Sequence, residues 1–357
     1  LRRVMPKLGK GRAIRRRFPV ENYAVIDLGS NSCRMTVTEI DDDGGFKRSQ
    51  MNKQFVRLSE GMKNSGALQQ EPMDRTIAAL KEFYEEYSKL PHLTLKAVAT
   101  AAVRSAANQQ AFLERVKTEV HGLNIEVISG TEEAHYDYLG VINTLPVTNC
   151  VIMDTGGASC ELVLVQNGRE QNLVSLPFGS VNLSETFLKH GVDQLAAVDL
   201  FRLSTGVQRL FNGLWWLQRG QNLPLVALGG SNRTLAKIRR KEKNVSDYED
   251  VHGFRMSVSE VDNVYANIIE RNLADRKAIP GLSKDRADII AAGITPIVTI
   301  MRFLDAGRVI FSENGVREGI LYKHLDQLRA QGKIGDHKEN ISTTKKNAGN
   351  GKKSDKK

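Results

Sequence analysis

Apolar residues along the first third of the chain alternate between short runs typical of strands and longer stretches with helical spacing. The short runs predict strands at 23–27, 34–40, 46–58, 95–100 and 125–128. Helical spacing predicts helices at 72–87 and at 108–120, with Asn108 as the cap of the second. Strands that alternate with helices predict an α/β protein whose mixed or parallel sheet is covered by helices.

The rest of the chain continues this alternation. A helix is predicted from Thr131, and further helices at about 193–217, 260–273, 286–301 and 315–328. Strands are predicted from Val151, at 225–228 and at 309–312. The strand at 225–228 breaks at Gly229-Gly230, and Ser231 is predicted to cap the helix that follows.

The stretch VIMDTGGASCELVLV at 151–165 predicts a strand, a tight turn and a second strand. The turn contains Gly156, Gly157, Ala158 and Ser159, whose small side chains allow backbone N–H groups to approach a phosphate closely. Asp154, at the end of the first strand, is of the type that holds a metal ion beside such a phosphate.

The same pattern occurs a second time, in VIDLGSNSCRMTV at 25–37. A shift of 127 residues places Asp27 on Asp154 and Ser32 on Ser159, and it also aligns the apolar flanks. Two similar strand-turn-strand units indicate two similar halves that face a shared cleft. The sequence therefore predicts two phosphate-gripping turns opposite each other.

Two other segments are candidates for phosphate chemistry. The strand, Gly-Gly turn and helix start around Gly230 and Ser231 form a potential third phosphate site. Glu132 and Glu133 lie in the first turn of the helix from Thr131, where the helix dipole alone favours carboxylates. From the residues alone, these two glutamates are either structural or catalytic.

The net charge of +10 is carried by the ends of the chain. Residues 1–17 contribute +8 and residues 333–357 contribute +5, which leaves the body near −3. We therefore expect two solvated basic tails, attracted at most loosely to polyanions, and no specific nucleic-acid partner. Three scattered cysteines and the lack of a membrane-length apolar run predict a cytoplasmic protein without a membrane partner.

Taken together, seven segments resemble the exopolyphosphatase/guanosine pentaphosphatase family, and they follow one another in the family's order. They are VIDLGSNSCRM (25–35), ATAAVR (99–104), ISGTEEAHYDYLGV (128–141), VIMDTGGASCELV (151–163), LGGSNRTLA (228–236), RADIIAAG (286–293) and GVREGILY (315–322). The resemblance implies two ribonuclease-H-like domains of the actin and sugar-kinase type around a central cleft. The second turn of this sequence, GGASC at 156–160, differs from the family's common GGGST at Ala158 and Cys160.

The resemblance also implies roles for single residues. Glu133 matches the general base for the attacking water, and Arg104 matches an arginine that grips the phosphate chain. Asp154 and Glu161 match residues that bind the metal ion. The resemblance implies Mg²⁺ as this ion, with Mn²⁺ as the alternative. The phosphate-binding residues implied by the two turns and the Gly-Gly helix start are Ser30, Asn31, Ser32, Gly156, Gly157, Ala158, Ser159, Gly230 and Ser231.

These inferences predict the short, two-domain form of the family. The first ribonuclease-H-like domain is predicted at 20–130 with 312–330 and the second at 131–311, between basic tails at 1–19 and 331–357. The expected activity is metal-dependent release of orthophosphate from inorganic polyphosphate. Removal of the terminal phosphate of pppGpp is the alternative. A kinase or ATPase of the same fold and a non-catalytic polyphosphate- or nucleotide-binding protein are the rivals. A homodimer is expected from the resemblance.

Overall fold

The computed structural model of the chain describes residues 21–335, so both predicted tails lie outside the described residues, apart from 331–335. The described part contains two β-sheets flanked by helices, which confirms the predicted α/β class. Its strands are β1 Glu21–Leu28, β2 Ser32–Ile40, β3 Phe46–Phe55, β4 Leu93–Ala99, β5 Glu126–Val127, β6 Cys150–Thr155, β7 Cys160–Gln166, β8 Arg169–Leu176, β9 Leu225–Leu228, β10 Arg255–Ser257 and β11 Arg308–Phe311.

Helices connect and cover these strands. They are α1 Met62–Ser65, α2 Gln70–Tyr87, α3 Ala101–Ser105, α4 Gln109–Glu119, α5 Gly130–Ile142, α6 Ser180–Phe187, α7 Ala197–Asn212, α8 Gly230–Glu242, α9 Val258–Ile269, α10 Leu273–Lys277, α11 Ile290–Phe303 and α12 Val316–Ala330, with 3₁₀ turns at Leu217–Gly220 and Lys284–Arg286. Within residues 21–335, no helix is long and apolar enough to cross a bilayer.

The two sheets share one topology. The first has the strand order β3-β2-β1-β4-β5, and the second has β8-β7-β6-β9-β11 with β10 added at its edge. In each sheet the first three strands are antiparallel neighbours, and the fourth pairs parallel with the first. This order is that of a ribonuclease-H-like domain, so the duplicated fold predicted from the sequence is confirmed.

Two helices tie the halves together. α5 follows the first sheet in sequence but packs apolar residues such as Ala134 and Val141 on the second sheet. α12 follows the second sheet and packs Ile320 and Leu325 on the first. A Cβ atom on Gly319 would lie only 2.0 Å from the carbonyl oxygen of Tyr136, so a glycine is required where the two helices cross. The domain limits remain a prediction. Because of this exchange, α5 lies in the cleft between the two halves.

Three local predictions are wrong. The helix after β9, α8, is capped by Gly229 and not by Ser231: the φ of Gly229 is 90°, in the left-handed region that favours glycine, and Ser231 lies inside the first turn. The helix predicted from Arg286 begins at Ile290 after a 3₁₀ turn. The helical region at 193–217 contains the shorter α7 and a separate 3₁₀ turn.

Candidate active site

The two repeated turns have the same backbone conformation. In the first turn, residues 29–32, the N–H of Gly29 donates to the carbonyl of Ser32 at 3.1 Å. In the second turn, residues 156–159, the N–H of Gly156 donates to the carbonyl of Ser159 at 3.0 Å. The repeat in the sequence is therefore also a repeat in structure.

Each turn is fixed from behind through its carbonyl oxygens. The N–H of Ser59 donates to the carbonyl of Ser30 at 3.0 Å, and the N–H of Val181 donates to the carbonyl of Gly157 at 2.9 Å. No hydrogen bond within residues 21–335 uses the N–H groups of Ser30, Asn31, Gly157 or Ala158. Those N–H groups remain as donors for an anion.

The turns meet at a small chamber of about 90 Å³. A Cβ atom on Gly157 would lie 3.0 Å from the Cβ of Ser30, so the glycine permits the close approach of the two halves. The side-chain amide nitrogen of Asn31 is buried there without a hydrogen-bond partner among the described residues. The predicted site residues that line the chamber are Ser30, Asn31, Ser32, Glu133, Asp154, Gly156, Gly157, Ser159 and Gly230.

Four predicted residues do not line this chamber. Ala158 and Arg104 line a larger cavity of about 940 Å³ on one side of it, which we call the side cavity. Glu161 is 2 % exposed, and its Oε1 accepts a hydrogen bond from the hydroxyl of Ser175 at 2.7 Å. Ser231 is turned away, since a Cβ atom on Gly293 of α11 would lie 2.2 Å from its Oγ.

Glu133 joins the chamber to the side cavity through an ion pair. Nη1 of Arg104 donates to Oε2 of Glu133 at 3.0 Å and also to the carbonyl of Ile128 at 3.0 Å. Burial raises the pKa of Glu133 to about 7, with Arg104 opposing the shift. A carboxylate with a pKa near neutrality is suited to accept a proton at physiological pH.

The neighbouring Glu132 has a different environment. Its carboxylate accepts a hydrogen bond from the N–H of Ser129 at 2.8 Å, and its own N–H donates to the Ser129 hydroxyl at 3.1 Å. This capping box lowers the pKa of Glu132. The two glutamates are therefore unequal in structure: Glu132 stabilises the start of α5, and Glu133 faces the chamber.

The pairs of strands beside the two turns differ in charge. Asp27 is paired with Arg34 across β1 and β2, whereas Asp154 is paired with Glu161 across β6 and β7. Burial raises the pKa of Asp154, while Arg233 and Arg34 oppose the shift. Burial and the nearby carboxylates Glu133 and Asp154 raise the pKa of Glu161 well above its usual range.

This acidic side of the chamber fits a divalent cation. Oδ1 of Asp154 is buried without a hydrogen-bond partner in the described part of the chain, and carboxylate oxygens are the ligands that Mg²⁺ prefers. No three Asp, Glu, His or Cys side chains within residues 21–335 form a group that could hold a metal ion. A divalent cation here would therefore have fewer than three such ligands from the described residues, and water and phosphate oxygens would complete its shell, which is how proteins commonly hold Mg²⁺.

A third cavity, which we call the basic cavity, also adjoins the chamber and has a volume of about 410 Å³. The two share Arg34, Gly230 and Arg286. Burial and neighbouring arginines lower the pKa of Arg34 to about 9 and that of Arg286 to about 10, so both remain charged at neutral pH. The basic side chains that line the basic cavity are Arg34, Arg48, Lys53, Arg233, Lys237, Arg286 and Arg317. Burial and neighbouring arginines lower the pKa of Lys53 to about 6, so this lysine is largely neutral at neutral pH.

Sequence reasoning missed this cavity and one further acid. The near-neutral charge of the body gave no sign of it, because its cations come from distant segments and are offset elsewhere. Asp137 is fully buried on α5, four residues after Glu133. The i, i+4 spacing places both carboxylates on one face of the helix, and that spacing was the signal available in the sequence.

Comparison with known proteins places the chain among phosphatases. The model of the Ppx/GppA phosphatase family matches residues 36–328. The guanosine-5′-triphosphate,3′-diphosphate pyrophosphatases of Vibrio parahaemolyticus and Aliivibrio fischeri are both 29 % identical, over 308 and 322 residues respectively. Each match covers 86 % of this chain, which spans about 60 % of the length of either relative.

Solved structures agree with this match. The PPX-GPPA enzyme of Aquifex aeolicus is 31 % identical with a TM-score of 0.71, and the match covers 85 % of this chain and 99 % of that one. An exopolyphosphatase of Cytophaga hutchinsonii is 25 % identical with a TM-score of 0.76, covering 86 % and 98 %. The chain therefore belongs to the Ppx/GppA phosphatase family.

Proposed function

We propose that this protein hydrolyses terminal phosphoanhydride bonds and releases orthophosphate from inorganic polyphosphate. The observation that carries the proposal is the chamber itself. Two matched turns with available N–H donors face each other across it, and the buried carboxylate of Glu133 forms part of its wall. Such a chamber suits one phosphoryl group held by backbone dipoles next to a base.

The chain's own residues account for the steps of an in-line displacement. The two turns hold the terminal phosphoryl group, and Asn31 adds a side-chain donor. Glu133 orients a water and accepts its proton as the water oxygen attacks phosphorus. The bond from phosphorus to the bridging oxygen breaks, and the shortened chain leaves with that oxygen. Arg104 positions Glu133 through their ion pair.

A divalent cation, Mg²⁺ or Mn²⁺, would be held by Asp154, with Glu161 beside it. It would neutralise charge on the phosphate oxygens. The basic cavity would receive the rest of the polyanion, because it opens from the chamber and is lined by five arginines and by Lys237. A long polyanion is attracted there by charge without any need for a particular base or sugar.

The second candidate substrate is pppGpp. It also presents a terminal phosphoanhydride, and two relatives are named as guanosine-5′-triphosphate,3′-diphosphate pyrophosphatases. A purely binding role is disfavoured by Glu133, whose burial and raised pKa are costly in a site that only binds anions. Cytoplasmic location and a homodimer remain predictions.

The test is release of orthophosphate from polyphosphate and from pppGpp, measured side by side with Mg²⁺ and with EDTA. We expect Mg²⁺-dependent release, with higher kcat/KM for polyphosphate. Higher kcat/KM for pppGpp would select the second candidate. Binding of both compounds without any release would overturn the hydrolytic proposal.

A further inference from the structure

Asp137 is the acid in this site that has no role so far. It lies on α5 with 0 % exposure, and neither carboxylate oxygen has a hydrogen-bond partner among the described residues. Buried polar groups are almost always hydrogen-bonded, and an unpaired buried carboxylate is costly. A side chain in this condition requires an explanation.

The position of Asp137 relates it to Asp154. A Cβ atom on Gly315, just before α12, would lie 2.8 Å from Oδ1 of Asp137 and 3.9 Å from Oδ2 of Asp154. The carboxylate of Asp137 on α5 and that of Asp154 on β6 therefore approach the same point beside Gly315. The other atom close to this point is Cδ2 of Leu228, at 2.9 Å.

The surrounding charges distinguish Asp137 from its neighbours. Arg34 faces Asp27, Arg104 faces Glu133, and Arg233 acts on Asp154. The strongest influences on Asp137, after burial, are carboxylates only, and they raise its pKa well above the usual range. They are Asp154, Glu161, Glu133 and Asp27.

Availability also separates Asp137 from Glu161. One oxygen of Glu161 is engaged by the Ser175 hydroxyl at 2.7 Å. Both oxygens of Asp137 and Oδ1 of Asp154 are unengaged in the described part of the chain. Mg²⁺ characteristically takes one or two protein carboxylates and fills its other positions with water and phosphate oxygens.

We propose that Asp137 is a second carboxylate, with Asp154, for the divalent cation of this site. The inference rests on the proposed function only in assuming that a cation is used here. It adds a residue on α5, the helix that also carries Glu133. The cation would thereby tie the second sheet to the helix that presents the base.

The test is Mn²⁺ binding without substrate, followed by electron paramagnetic resonance of the free ion. We expect Asp137→Asn to weaken binding at least about tenfold, since even residues that only orient the ligands of a metal typically contribute about 10–100-fold to its affinity. The variant should also lose most of the rise in melting temperature that Mn²⁺ gives the wild type. Asp137→Ser provides a second variant if the asparagine variant does not fold.

Asp199→Asn is the matched control. Asp199 is also 0 % exposed, but it accepts hydrogen bonds from the backbone N–H and Nδ1 of His190 at 2.9 and 3.0 Å. Its replacement should lower stability and leave Mn²⁺ affinity unchanged. Unchanged affinity in folded Asp137 variants, or no Mn²⁺ binding by the wild type, would overturn the inference.

Phosphate release by the wild type is measured in parallel, so the two proposals can fail separately. Release with unchanged Mn²⁺ affinity in the Asp137 variants rejects only the role of Asp137. Mn²⁺ binding that depends on Asp137, without release from either substrate, rejects only the proposed hydrolysis.

Discussion

The two repeated turns have the same backbone and opposite chemistry. Both close with a hydrogen bond from a glycine N–H to a serine carbonyl, and both follow a strand whose second-to-last residue is aspartate. The next strand then differs at the equivalent position: Arg34 in the first half and Glu161 in the second. The first turn is thus flanked by one carboxylate and one guanidinium group, and the second turn by two carboxylates.

This difference indicates how a duplicated fold divides its work. In the first half, Arg34 offsets the charge of Asp27 and lines the basic cavity, which under the proposed function attracts the polyanion. In the second half, Asp154 and Glu161 concentrate negative charge that a cation can neutralise. Under the proposed function, duplication supplies two phosphate-binding turns, and the difference at one position, Arg34 against Glu161, separates the substrate side from the cation side.

Among the substitutions that compare the two turns, the largest effect is expected on the acidic side of the chamber. Asp154→Asn and Glu161→Gln should each shift the Mg²⁺ concentration for half-maximal activity upward, by at least about 10–100-fold, because Asp154 would hold the cation, Glu161 lies beside it, and even a residue outside the ligand shell typically contributes that much to metal affinity. Mg²⁺ titration of initial rates provides the measurement, with Asp199→Asn as the buried control. Titration curves that match the wild type would remove these two residues from the metal site.

A smaller effect is expected at the equivalent position of the first half. Arg34→Gln should raise KM for polyphosphate about tenfold, since a hydrogen bond from a charged donor is worth about 1.5–3 kcal/mol. Its Mg²⁺ titration should stay close to that of the wild type. The control is Arg302→Gln, which removes an exposed arginine paired with Asp262 and changes the net charge equally. If Arg34→Gln alters Mg²⁺ dependence and leaves KM unchanged, the proposed division between the halves is wrong.

The smallest expected effect is on the stability of the metal-free protein. Burial raises the pKa of Glu133, Asp137, Asp154 and Glu161, so the folded state binds protons more tightly than the unfolded state. The free energy of unfolding must then fall as pH rises from about 4, the unfolded pKa, and for Glu133 the fall ends at about 7. The melting temperature in EDTA should decrease by a few degrees between pH 5 and 7. The melting temperature of Asp137→Asn should decrease less than that of the wild type over the same pH range. An equal decrease in the two proteins would contradict this account.

The sequence predicted what is local or repeated. The strands and turns around Asp27 and Asp154 follow from apolar runs and small residues, and the 127-residue repeat revealed that they belong together. The role of Glu133 followed from the resemblance, because its first-turn position is equally consistent with a dipole effect.

What the sequence did not show depends on long-range packing. The exchange of α5 and α12 between the sheets brings Asp137 beside Asp154, and local periodicity carries no information on such a crossing. The basic cavity combines Arg34 with Arg233 and Arg286 from distant segments. Ser231 was misplaced because a serine after two glycines resembles a cap, while the positive φ of Gly229 sets the true start of the helix.

The central claim is that Glu133 activates water beside the second turn, and its most direct test is a paired substitution. Glu133→Gln keeps the shape and removes the base, so kcat should fall by about 10²–10⁴-fold with substrate affinity largely retained. Glu132→Gln, which alters only the capping box, should cost far less. Wild-type kcat/KM should also fall with decreasing pH below about 7, because Glu133 must be ionised to accept a proton. Equal, small losses of kcat in the two folded variants would contradict the claim and leave Glu133 with a structural role.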